Sequence, residues 1–106
     1  MNTETTRATE IANKNDKFRK YGLGFMMTPG ISAMSDTITV VEAIRAYDSF
    51  SEDNDPYGER DFGSLEWSGE KVFWKIDYYN PSLQSYCDPL DRSCIRILTI
   101  MLASEY

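Results

Sequence analysis

The residues best suited to chemistry fall in one run, DNDPYGERDFG, from Asp53 to Gly63. Asp53, Asp55 and Gly58 occupy the first, third and sixth positions of an EF-hand calcium loop. The pattern then breaks: Tyr57 stands at the fifth position, and Ser64 stands where a bidentate Glu would supply two oxygens. Asp, Pro and Gly at this density suit a turn held by Asx-type hydrogen bonds, so neither metal nor cofactor is expected. The second candidate is Asp77, flanked by Trp74, Tyr78 and Tyr79 in VFWKIDYYNP. It reads as an acid in an aromatic pocket or as half of a structural ion pair with a residue such as Arg96. The ion pair is the simpler reading, since a buried carboxylate without a partner is costly. The chain has no His, which removes the imidazole relays of nucleophilic and acid–base catalysis. No GxxxxGK[ST] or GxGxxG turn is present, and no residue is assigned a catalytic role.

Charge separates further classes. The 106 residues carry a net charge of −6. Residues 1–35 hold five basic and three acidic side chains, residues 36–70 hold two and ten, and residues 71–106 hold four of each. An acidic middle third argues against direct binding to nucleic acid or an anionic membrane. No apolar run reaches the roughly 20 residues that a bilayer crossing needs. The first ten residues lack the basic-then-apolar layout of a secretory leader, so a cytoplasmic location is expected. In that compartment Cys87 and Cys94 are expected to be reduced thiols.

The elements that must position these residues follow from periodicity. Ala8, Ile11, Ala12, Asn15 and Phe18 share one face of a first helix, capped by Thr3 or Thr5 and stopped at Gly22. Leu23 to Thr28 reads as a short strand ending at the Pro29-Gly30 turn. A second helix is expected from Asp36 to Phe50, with Ser35 or Asp36 as cap and Val40, Val41, Ile44 and Tyr47 inward. Ser51 to Arg60 is a loop. Asp61 to Trp67 and Glu70 to Tyr79 form a hairpin across Ser68-Gly69. Ile95 to Ala103, apolar on both faces, reads as a central strand covered on both sides. The expectation is a single α+β domain over residues 1–106, with residues 1–5 outside the ordered body. Its order is α-β-α-β-β-β: two helices on a mostly antiparallel four-stranded sheet.

NDPYGERDFG (54–63), VFWKIDYYNP (72–81) and RILTIMLASEY (96–106), with NDKFRK (15–20) and RAYDSF (45–50), resemble a bacterial domain-of-unknown-function family. Its members are small single-domain proteins found on plasmids and other mobile elements. The resemblance implies no catalytic residue. It implies a context in which small acidic proteins serve as counter-defence factors of the anti-CRISPR or anti-restriction type.

The resulting expectation is a non-enzymatic binding protein that inhibits a nucleic-acid-handling defence complex through a protein partner. Asp48, Glu52, Asp53, Asp55, Glu59 and Asp61 would lie against its Lys/Arg surface. Tyr57, Tyr78, Tyr79 and Tyr86 form the candidate aromatic contact face. The rivals are a small-ligand protein or enzyme using the Asp53–Asp61 loop with Asp77, and a plasmid-maintenance interaction module.

Overall fold

A computed structural model describes residues 3–106, with side chains described from Arg7 onward. The elements run α1 (Thr3–Tyr21), β1 (Met26–Met27), α2 (Pro29–Ser32), α3 (Thr37–Arg45), β2 (Phe62–Trp67), β3 (Glu70–Tyr79), β4 (Ile95–Leu102) and a final 3₁₀ turn (Ala103–Glu105). The expected caps Thr3 and Thr5, and Met1 and Asn2 of the stretch expected outside the body, lie outside these described residues or side chains.

The class is α+β with a four-stranded sheet, but two details of the expected architecture change. The sheet is mixed: its order is β1-β4-β3-β2, with β1 parallel to β4 and the other pairs antiparallel. There is also a third helix. Pro29, expected in a turn, instead starts α2, where its fixed φ and missing N–H fit a first helical position. The hairpin forms as its sequence requires, with Ser68 and Gly69 at φ 50° and 81°.

Helix α3 stops at Arg45, five residues before the expected end. Beyond it Tyr47 and Phe50 leave the helix and pack edge-on against Trp74, with ring centroids 5.5 and 6.1 Å away. Asp36 precedes α3 but makes no side-chain cap; its carboxylate instead accepts the Trp67 indole N–H at 2.6 Å.

All three helices lie on one face of the sheet. Val72, Trp74, Ile76 and Tyr78 of β3 and Leu98 and Ile100 of β4 meet Ile31, Val40 and Ile44 in one buried cluster. The period-two alternation of β3 thus sends Phe73, Lys75, Asp77 and Tyr79 to the opposite face, which no helix covers. Strand β4 is central, between β1 and β3, yet it is not sealed on both sides: Ile97 is only half-buried.

Candidate functional site

The polar centre of the molecule was not singled out as a site by its sequence. Asn15 is fully buried on the inner face of α1 and uses its whole amide. Its Nδ2 donates to the Tyr78 hydroxyl at 2.7 Å and to the Glu59 carbonyl at 2.9 Å. Its Oδ1 accepts from Arg96 Nε at 2.7 Å. Arg96 also donates to the Pro89 carbonyl at 2.8 Å and lies over the Tyr78 ring. The Tyr78 hydroxyl donates to Asp61 at 3.3 Å. One signal for this was legible: Asn15 sits in an otherwise apolar helical stripe, where a buried amide must be hydrogen-bonded.

A second buried group adjoins it. Arg19 is 1% exposed and lies against the Phe50 and Trp74 rings, 5.4 Å from each centroid. It pairs with Asp16 at 2.9 Å, and Asp16 in turn binds Arg60 at 2.9 Å. Arg19 Nε and the Trp74 indole nitrogen are buried without a hydrogen-bond partner among the described residues.

Above this centre an open cleft of about 880 Å³ separates the start of α1 from the 52–59 loop. Arg7, Ile11, Glu52, Asp55, Tyr57 and Glu59 line it. Among the described residues its one lining cation, Arg7, is engaged with Asp88 at 2.8 Å, and Glu52, Asp55 and Glu59 line it as well. Burial, then the neighbouring Asp61, raises the Glu59 carboxyl above the usual range. Burial also raises Asp61, against the lowering effect of the Tyr78 hydroxyl. Burial raises the Tyr78 phenol as well.

The loop is internally braced. Asn54 Oδ1 accepts the Ser51 N–H, Asn54 Nδ2 donates to the Ser49 carbonyl, and the Asp55 carboxylate accepts the Arg60 N–H. Asp55 therefore serves the turn. Among the described residues no group of three or more His, Cys, Asp or Glu is placed to hold a metal ion.

The six expected acidic residues divide accordingly. Asp55 and Glu59 line the cleft with Glu52; Asp61 lies beneath it against Tyr78; Asp48 and Asp53 are exposed outside its lining. The four tyrosines do not share a face. Tyr57 and Tyr86 are 80% and 72% exposed, Tyr78 is buried, and Tyr79 points to the uncovered side of the sheet. Tyr78 is thus removed from the contact face by the period of β3, although Tyr86 packs edge-on against it. Asp77 does not meet Arg96 either. Their strands place them on opposite faces, and Asp77 pairs with Lys75 at 3.2 Å.

Cys87 and Cys94 are free thiols, both half-buried. Burial raises the Cys94 thiol, with the adjacent Cys87 thiol contributing.

The fold defines a small α+β chain with an open acidic cleft between α1 and the 52–59 loop. Residues 27–105 match the model of a family described as protein of unknown function (DUF3768), and the chain belongs to that family. The match leaves out all of α1, including Arg7, Asn15 and Arg19. No curated protein and no solved structure matches the chain.

Proposed function

We propose that this chain is a non-enzymatic binding protein whose acidic cleft takes a basic segment of a protein partner. The observation that supports this reading is the cleft itself: Glu52, Asp55 and Glu59 share a wall with Tyr57, opposite an arginine already paired. The Glu59 carboxyl, held above its usual range by burial and by Asp61, gains from an incoming cation. Tyr57 adds a rigid exposed ring over which a guanidinium stacks. In its most concrete form the partner is the Lys/Arg channel of a nucleic-acid-handling defence complex, which the chain blocks in the cytoplasm by filling a phosphate path.

A short Arg-rich peptide is the direct probe. Reversing Glu52, Asp53 and Glu59 to Lys, with Asp55 kept for the loop, is expected to slow association at least tenfold or so while the far-UV spectrum is unchanged. Wild-type association should fall with salt as the Debye length shrinks from about 10 Å at 0.1 M to about 3 Å at 1 M. Binding that is insensitive to both changes would refute the reading.

A further inference from the structure

We propose that the uncovered face of the sheet is the contact between two copies of this chain. The helices all pack on the Trp74 face, so β3 and β4 present Lys75, Asp77, Tyr79 and Ile97 on the other side. One end of that face is closed by the chain itself: Tyr106 packs edge-on against Phe62 and Phe73, and Met101 is buried. The other end is a shallow groove of about 610 Å³, running from Met26 across Ile97 and Tyr79 to Leu83. Met26 and Leu83 are 56% and 52% exposed.

A sheet face meant for water carries mostly polar alternates. The groove end of this one is lined mainly by Met26, Ile97, Tyr79 and Leu83, with Thr99 beside the exposed Lys75–Asp77 ion pair. Ser64, Glu66 and Lys71 lie toward the other end. The ion pair selects the occupant. A two-fold contact needs a patch that complements itself. Two residues of opposite charge, two positions apart on one strand, meet the condition: stacking two copies of β3 antiparallel puts each Lys75 over Asp77 of the second copy. The same register lays Tyr79 of each copy over Phe73 of the other. A partner of one charge sign would satisfy only half of the pair.

The area sets the strength. The strand residues of the sheet, at about 3.4 Å each in strands about 4.8 Å apart, give a projected face of roughly 400 Å². A standard interface takes about 800 Å² from each partner, so this dimer is weak and reversible. Each copy carries −6, so moderate salt screens the mutual repulsion and strengthens pairing, the opposite of the salt response at the acidic cleft.

Sedimentation of the full chain between roughly 10 and 500 μM spans the range in which so small a contact dissociates. The weight-average mass is expected to rise from 12.2 kDa toward twice that value. Ile97→Glu should hold it at the monomer value with an unchanged far-UV spectrum, and Leu83→Asp, on an exposed loop, should do the same if the first variant unfolds. Lys75→Glu should weaken pairing about tenfold, and Lys75→Glu with Asp77→Lys should restore it. A wild-type chain that stays monomeric throughout, as it would if this face served a different partner, overturns the proposal. So does a dimer that survives both Ile97→Glu and Leu83→Asp, one abolished by reversing Glu52 and Glu59 instead, or a double variant no tighter than the single.

Discussion

Asn15 shows how much one side chain organises here. Its amide joins α1 to β3, to β4 and to the 52–59 loop at once, through Tyr78, Arg96 and the Glu59 carbonyl. Asn15→Ala would take the partner from the Arg96 Nε–H and from the Glu59 carbonyl in a partly buried space, and would leave the Tyr78 hydroxyl with Asp61 alone. The expected loss is about 2–4 kcal/mol in a urea titration, well above that of a surface Asn→Ala. The acids beside it titrate in a defined direction. Folding raises Asp61 above its ordinary 3.8 and Glu59 above 4.5, so the folded chain keeps protons that the unfolded chain has released. Their contribution is fully present below those ordinary values and is lost as pH rises through the higher folded ones. Stability from these two groups is therefore expected to increase as pH falls through their raised folded values toward 4.5 and 3.8. Asp61→Asn, which still accepts from Tyr78, should flatten that rise in urea midpoints measured across the interval. Asp88, Asp91 and Glu105 are shifted the other way by their hydrogen bonds, and their losses fall at lower pH.

At the scale of elements, β4 separates covered from uncovered apolar residues. Ile100 faces the helices with no exposure, whereas Ile97 faces the groove and is half-buried. Ile100→Ala should cost about 2–5 kcal/mol, and Ile97→Ala clearly less at protein concentrations where the chain is monomeric. Equal losses would mean that both faces are sealed. The strands themselves were legible: β3 runs from Glu70 to Tyr79 as its alternation and the Ser68-Gly69 turn require. Coverage was not, because an apolar residue on a strand reads the same whether a helix or solvent lies over it. The end of α3 was hidden for a related reason. Tyr47 and Phe50 continue the helical spacing, but their rings are drawn down onto Trp74, and tertiary packing overrides the local period. Strand β1 was overestimated because only Met26 and Met27 meet β4 in register.

Over the whole molecule, charge and shape sort into separate surfaces. The acidic block was visible as a count, and the structure gathers part of it into a cleft whose second wall comes from α1, more than 40 residues earlier in the chain. No local pattern could announce that meeting. Arg7 with Asp88 and Asn15 with Arg96 each span 81 residues, and such pairs are set by topology alone. Only the amide in an apolar stripe gave a hint.

The placement of β4 between β1 and β3 also dictates the order in which the chain can assemble. Met26 and Met27 must wait for Thr99 and Ile100, and the inner face of α1 must wait for Arg96. Closing loops of this length costs entropy before any contact repays it, which makes a sheet of high contact order slow to nucleate. On the ribosome, the helices and the β2–β3 hairpin emerge before the strand that joins them. Until residues 95–102 are released, Trp74 and Ile76 are without their β4 neighbours. The nascent chain at that stage exposes apolar surface, and chaperones that hold such surface meet it there.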